Sequence, residues 1–233
     1  MIKLIIFDLD GTLLNTIDDL ADCTNYVLQK NGYPTHEIDA YKYFVGNGVE
    51  NLLRRALPKN IAETTFIEIL NEFMHYYEVH KADKTAPYDG MVETLEHLQE
   101  KGIQLAIATN KPHELLPALI QYYFPTIKWS AIFGYRKEVP IKPHPQIVYD
   151  ILDATQMDRT DTLYVGDTAV DMETAQNAGI QKVGALWGFR TKEELEQAHA
   201  DYMITYPQQL ISIICFYSFF HPKLPDSRSA QCG

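Results

Sequence analysis

Leu4-Ile5-Ile6-Phe7-Asp8-Leu9-Asp10-Gly11-Thr12 is the stretch on which the fold turns. Four apolar residues run directly into two acids and a glycine, so a buried strand ends in a tight loop. Residues two apart on an extended chain point to the same side; Asp8 and Asp10 therefore face one site while Leu9 turns away. Gly11 lets backbone pass close by. Two carboxylates held together repel each other and raise one pKa unless a cation neutralises them. Mg²⁺ is the expected cofactor, because it takes oxygen ligands, keeps several waters and shares phosphate oxygens. An acidic turn after a strand is also an ordinary polar turn, so the rest of the chain has to decide.

Outward from this stretch, β-rich runs at Lys3 to Phe7, Gln104 to Ala108, Ala131 to Phe133, Thr162 to Val165 and Lys182 to Ala185 alternate with helix-patterned segments. That order predicts an α/β fold with a parallel sheet covered by helices. Residues 8–103, between the first two runs, are too many for a simple crossover, which predicts an inserted helical domain. Ile17, Leu20, Ala21, Thr24 and Leu28 form one helical stripe; Phe66, Ile67, Leu70, Phe73, Met74 and Tyr77 form a second. Tyr76 and Tyr77 read as bundle core and receive no chemistry. Asp89 is expected to cap a helix carrying Val92, Leu95 and Leu98 that ends at Gly102, and a further helix is expected from near Asp171 to near Gly179. The expected division is a core of residues 1–14 and 86–210, a helical cap of 15–85 and a tail of 211–233.

The 20 Lys and Arg against 31 Asp and Glu give a net charge of -11, which opposes attraction to nucleic acid or an anionic membrane. Cys23, Cys215 and Cys232 are an odd, widely spaced set, unlike a disulfide framework or a metal site. Leu4 to Phe7 is too short for a signal-peptide core, and the reading is a cytoplasmic protein. Leu210 to Phe220 is nearly apolar but falls well short of the ~20 residues needed to span a bilayer. A buried terminal segment is expected instead.

The acids recur at a second strand end, where Thr162-Leu163-Tyr164-Val165 runs into Gly166-Asp167-Thr168-Ala169-Val170-Asp171. Parallel sheets bind ligands at the carboxyl ends of their strands, so both acidic turns can converge on one crevice. A third strand end delivers Thr109 and Asn110, whose hydroxyl and amide can hold phosphate oxygens without adding negative charge. Lys142, in Lys142-Pro143-His144-Pro145, supplies a fixed positive charge; a lone lysine there is ordinarily solvated, and it gains meaning only from the set.

Assembled, these residues resemble the haloacid dehalogenase-like superfamily, on its phosphoglycolate phosphatase-like branch, over about residues 1 to 210. The resembling motifs are Asp8-Leu9-Asp10-Gly11-Thr12, Thr109-Asn110-Lys111, Lys142-Pro143, and Gly166-Asp167 with Asp171. The resemblance implies a Rossmann-like parallel sheet with helices on both faces and a helical cap inserted after the first strand. It implies that Asp8 attacks phosphorus, that Asp10 is general acid and then base, and that Thr109 and Lys142 hold phosphate. Asp8, Asp10, Asp167 and Asp171 would hold Mg²⁺, Asp171 supporting either the metal or Lys142. Thr12 and Asn110 join the substrate contacts. Phe44-Val45-Gly46-Asn47-Gly48-Val49 looks like a substrate-facing cap loop, which brings in Gly46, Asn47, Gly48 and Arg54, with Arg55 beside it as a candidate for a carboxylate.

The expected activity is Mg²⁺-dependent hydrolysis of a small phosphomonoester, phosphoglycolate first, by a monomer or homodimer that binds neither nucleic acid nor membrane. The alternatives are a β-phosphoglucomutase-like isomerase, a phosphatase of sugar phosphates, nucleotides or pyrophosphate, and a noncatalytic phosphate-binding module. An acid at Asp10 argues against the dehalogenases and phosphonate hydrolases of the superfamily. The run Ile211 to Phe220 and the tail His221 to Gly233 depart from the family's usual short polar finish.

Overall fold

The computed structural model describes residues 1–220, with side chains through 215. The chain opens with β1 (Leu4–Phe7) and β2 (Leu14–Asn15), then four helices, α1 (Ile17–Lys30), α2 (Ile38–Phe44), α3 (Val49–Ala56) and α4 (Glu63–His80). It continues through β3 (Ala86–Pro87), α5 (Met91–Glu100), β4 (Gln104–Pro112), α6 (Leu116–Tyr123), β5 (Trp129–Tyr135) and α7 (Gln146–Thr155). The remaining elements are β6 (Thr162–Gly166), α8 (Ala169–Ala178), β7 (Gln181–Ala185), α9 (Lys192–Gln197), β8 (Tyr202–Ile204) and α10 (Gln209–Phe220).

Six strands form one parallel sheet in the order β5-β4-β1-β6-β7-β8. The first strand of the chain lies inside it, between β4 and β6, with Phe7 level with Ile107 and Val165. Strand alternation then builds both layers. Ile5, Phe7, Leu105, Ile107, Leu163 and Val165 point to one face, where Met91, Leu95 and Leu98 of α5 and Leu116 and Ile120 of α6 cover them. Leu4, Ile6, Ala106, Ala108 and Tyr164 point to the other, against Ile147, Val148 and Ile151 of α7 and Ala175 and Ala178 of α8. Burying each large side chain contributes about 1.5–3 kcal/mol, so the central strands are held from both sides and their carboxyl ends are fixed in space. Helices do cover both faces of a Rossmann-like sheet.

The helices α1 to α4 have their own apolar cluster, built on Leu20, Val27, Leu28, Tyr41, Leu53, Phe66, Phe73 and Tyr77. The chain enters and leaves this bundle through the antiparallel pair β2 and β3, with Leu14 opposite Pro87 and Asn15 opposite Ala86. Asp19, buried at the start of α1, accepts hydrogen bonds from the Lys84 and Thr85 amides and the Thr85 hydroxyl, tying the two crossings together.

Several expectations need correction. In α4 the buried stripe is Phe66, Ile69, Phe73 and Tyr77, while Ile67 is 49% exposed; the register of the helix sets Ile69 inward in its place. Gly90, not Asp89, caps α5 with φ +74, and a Cβ there would stand 1.8 Å from the Gln208 amide. Strand β4 continues past Ala108 to Pro112 because Pro112 pairs with Tyr135 after a register shift. Strand β8 was not foreseen, since three residues show no usable alternation. Leu210 and Ile214 of α10 are buried against the core beside α5, and residues 221–233 of the expected tail lie outside the described residues. Among the described residues no helix is long and apolar enough to cross a membrane.

Candidate active site

Three strand ends and one turn meet at one point. Asp8 follows β1 with its amide bonded to the Val165 carbonyl at 2.9 Å, Thr109 and Asn110 lie in the last part of β4, and Asp167 and Asp171 follow β6 on the loop and first turn of α8. Lys142 arrives from the turn before α7. Asp8, Asp167 and Asp171 are all buried, with one carboxylate oxygen from each within 4.8 Å of the others.

Each carboxylate is held differently. Asp167 accepts from the Thr12 hydroxyl at 3.0 Å and from the Phe189 amide at 2.8 Å. Two glycines press on it: a Cβ at Gly11 would lie 2.4 Å from its Oδ2, and one at Gly188 would lie 2.2 Å from its Cβ. Gly11 also has φ +90, a left-handed backbone that side chains resist. Asp171 is the third residue of a capping box, its Oδ2 accepting from the Thr168 amide and hydroxyl. Its Oδ1 takes Lys142 Nζ at 2.6 Å. Lys142 is 1% exposed, and its ammonium also reaches the Ala108 carbonyl at 3.1 Å, the Tyr164 hydroxyl at 3.0 Å and Asp8 Oδ1 at 2.9 Å. The Asp8 contact is an ion pair without hydrogen-bond geometry, which leaves that buried oxygen unsatisfied.

Electrostatics follow from this crowding. Burial, then Asp171 and to a lesser degree Asp10, push the Asp8 carboxyl up to about 7 against the pull of Lys142. Burial, then Asp171 and Asp8, hold Asp167 well above the usual carboxylate range. Burial works to discharge Lys142, but Asp171 and Asp8 outweigh it and keep its pKa high. Three buried acids around one oxygen that lacks a hydrogen bond are a donor set suited to a hard divalent cation, which removes the repulsion. Asp8 offers the freest oxygens; each oxygen of Asp167 accepts one hydrogen bond, and each oxygen of Asp171 accepts two.

The structure does not use every expected residue as the sequence suggested. The Asp10 carboxylate stays out of the acid cluster: Lys111 Nζ binds it at 2.9 and 3.3 Å, so it is not placed as a metal ligand. Thr12 is fully buried and spends its hydroxyl on Asp167. The Asn110 amide bridges Gly46 O and Lys142 O, and its oxygen accepts from the Lys142 amide; it braces the site from strand to loop. Thr109, Asn110, Gly46 and Gly48 do line a cavity with Asp8, Asp10, Leu52 and Lys111. Asn47 lines the neighbouring cavity and accepts from Arg55 at 2.6 Å. Arg54 lines neither: it pairs with Glu50 and Glu63 on the surface, over the Phe66 ring. The Arg55 guanidinium holds the loop by donating to Phe44 O at 2.8 Å.

Other contributors carry no signal in the sequence. Gly188, Phe189 and Trp187 follow β7 and close over the acids, with Trp187 Nε1 donating to Thr12 O. The strand signal at Lys182 to Ala185 pointed to this strand end, but the loop carries no acid to mark it. Tyr164 was read only as a strand residue. The motif Thr109-Asn110-Lys111 gives Lys111 no role by itself, and the apolar period of α4 places Tyr77 in the core.

The comparisons with known proteins agree with this geometry. A family model described as haloacid dehalogenase-like hydrolase matches residues 5–185. The chain belongs to the haloacid dehalogenase-like hydrolases. Among its family relatives, a protein of Aliivibrio fischeri named phosphoglycolate phosphatase is 30% identical, covering 91% of this chain and 96% of its own. One of Haemophilus influenzae with the same name is 31% identical over 91% and 98%. A solved structure from Haemophilus somnus 129pt, described as a predicted phosphoglycolate phosphatase, superposes with a TM-score of 0.85 at 29% identity, covering 91% of this chain and 98% of that one.

Proposed function

We propose that this hydrolase is a phosphatase of small phosphomonoesters, with phosphoglycolate as the preferred substrate and Mg²⁺ as its cofactor. The observation that carries the reading is the convergence of Asp8, Asp167, Asp171 and Lys142 at one set of strand ends. In this reading Asp8 and Asp167 hold the cation, with Asp171 fixing Lys142 behind them. When bound, Mg²⁺ would supply positive charge that lets an anionic nucleophile approach an anionic phosphate.

The chain's own residues then divide the work. Asp8 attacks phosphorus, forming an O–P bond as the ester oxygen leaves, and water later cleaves the aspartyl phosphate. Asp10, two residues on, gives its proton to the leaving oxygen and afterwards takes one from the attacking water. Lys142 stabilises negative charge on the transferring group from a dry, prearranged position, and Thr109 adds a hydroxyl at the β4 end. The helical bundle acts as a cap. The cavity holds only about 30 Å³, so substrate enters when the bundle swings off the sheet and water is excluded when it returns.

Support for a compact substrate comes from the small cavity and from the relatives named for phosphoglycolate. A second reading, phosphatase of larger sugar phosphates, is favoured by the adjoining cavity of about 610 Å³ lined by Asn47, Asn71, His113 and Arg136. A panel of phosphoesters at equal concentration with Mg²⁺ decides between them. Phosphoglycolate is expected to lead in kcat/KM; a hexose phosphate leading by ~10-fold, about 1.4 kcal/mol of transition-state preference, would overturn the substrate choice.

A further inference from the structure

A buried lysine joins the helical bundle to Asp10. Lys111 lies near the end of β4 with its side chain 2% exposed, and its ammonium reaches both Asp10 oxygens, at 2.9 and 3.3 Å. The third contact of that ammonium is the Tyr77 hydroxyl at 2.5 Å. Tyr77 belongs to α4, is fully buried, and stacks on Phe73 with ring centroids 5.3 Å apart. Among the described residues no other group hydrogen-bonds the Asp10 carboxylate.

Burying an ammonium costs several kcal/mol unless good partners compensate, and the bundle core had no need of a polar tip at position 77. Phenylalanine would fill the same volume. Among the described residues the hydroxyl is satisfied only by Lys111, and Lys111 in turn fixes the direction of Asp10. We propose that Tyr77 and Lys111 are positioning residues for proton transfer, aligning Asp10 with the leaving oxygen only while α4 is seated on the sheet. The proposal rests on the phosphatase reading with Asp10 as acid and base. Its consequence is that bundle closure and correct placement of the acid are one event, so that an open site holds the nucleophile but not an aimed proton donor.

The test uses the full chain with Mg²⁺ and two esters in single turnover, an alkyl phosphate that needs a proton on its leaving oxygen and p-nitrophenyl phosphate, which needs little help. Tyr77→Phe keeps the ring and removes the link. It is expected to slow alkyl ester cleavage about 10-fold, the scale of one lost hydrogen bond, with the p-nitrophenol burst and KM within about twofold of wild type. Lys111→Met is expected to slow the alkyl ester further. Adding Tyr77→Phe to Lys111→Met should then cost nothing more, because the tyrosine acts through the lysine. Thermal melting checks that each variant is folded, and Tyr77→Phe can be judged even where Lys111→Met is not. Equal slowing of both esters, no slowing, a change confined to KM, or additive losses in the double variant would each overturn the proposal. Wild type that cleaves neither ester would instead overturn the phosphatase reading beneath it.

Discussion

The strand ends and the helical bundle meet at one cavity but are built on opposite plans. At the strand ends Asp8, Asp167, Asp171 and Lys142 are buried and interlocked: Lys142 touches Asp8, Asp171, Tyr164 and the Ala108 carbonyl, and Asp167 is wedged between Gly11 and Gly188. Where the bundle faces the same cavity it offers Leu20, Val45, Val49 and Leu52 with two glycines, while its charged groups turn to the surface or brace the loop. Chemistry that works by electrostatic preorganisation needs fixed charges; a moving cover needs an apolar face and a flexible loop. The difference says that losses at the strand ends should be large and nearly independent of substrate, and losses in the bundle small and selective.

The sharpest way to break that contrast is Asp8→Asn. Its turnover is expected to fall by ~10⁴-fold or more with every ester, the scale of deleting a covalent nucleophile, with melting unchanged or raised because a crowded buried charge is gone. Asp10→Asn should lose ~10²- to 10⁴-fold on alkyl esters. Activity near wild type in either variant, measured as kcat/KM on phosphoglycolate, would remove that residue from its role.

Gly188→Ala tests whether the wedge around Asp167 matters. Its Cβ would fall 2.2 Å from that of Asp167, so the acid must shift; Mg²⁺ activation is expected to need ~10- to 100-fold more metal. An unchanged activation curve would show that Asp167 has slack. In the bundle, by contrast, Arg54→Ala should leave kcat/KM within about twofold, since an exposed ion pair adds little to stability and the side chain lines neither cavity beside the site. Selective loss of phosphoglycolate turnover in that variant would move Arg54 into the site and erase the contrast.

The acid cluster also sets a pH dependence. With its carboxyl pushed up to about 7, folded Asp8 holds a proton between about pH 4 and 7 that the unfolded chain has released, and Asp167 shifts in the same direction. Folding binds extra protons in that window, so metal-free stability should fall as pH rises through it. Mg²⁺ binds the ionised acids, so its stabilising effect should grow over the same range. Melting curves with EDTA and with Mg²⁺ at pH 5 and 8 check this; a metal effect that shrinks with rising pH would contradict it.

How far all this was legible in the sequence also divides along the same line. Asp8, Asp10 and Asp167 could be read because a strand end fixes direction: the period of two puts the first pair on one side, and parallel order brings the third to the same edge. Lys142 could be read only as the charge the others lacked. Tyr77 was hidden because its ring obeys the bundle's apolar period, alongside Phe73 at i−4, and nothing local reveals where its hydroxyl goes. Arg54 was misread although Glu50 stands four residues before it, the spacing of a surface ion pair. The loop Trp187 to Phe189 was missed because its contribution is an amide and an absent Cβ, which no residue-type signal announces.

The central claim is that Asp8 carries the phosphoryl group between two half-reactions, and it is tested most directly by trapping. Wild-type chain mixed with Mg²⁺ and phosphoglycolate or p-nitrophenyl phosphate is quenched in acid within the first turnover, digested and mapped by mass spectrometry. A phosphoryl group on Asp8, absent in Asp8→Asn and accumulating in Asp10→Asn with the aryl ester, is the expected result. Ester hydrolysis that proceeds at full rate with no phosphorylated Asp8, or with the group on another residue, would contradict it.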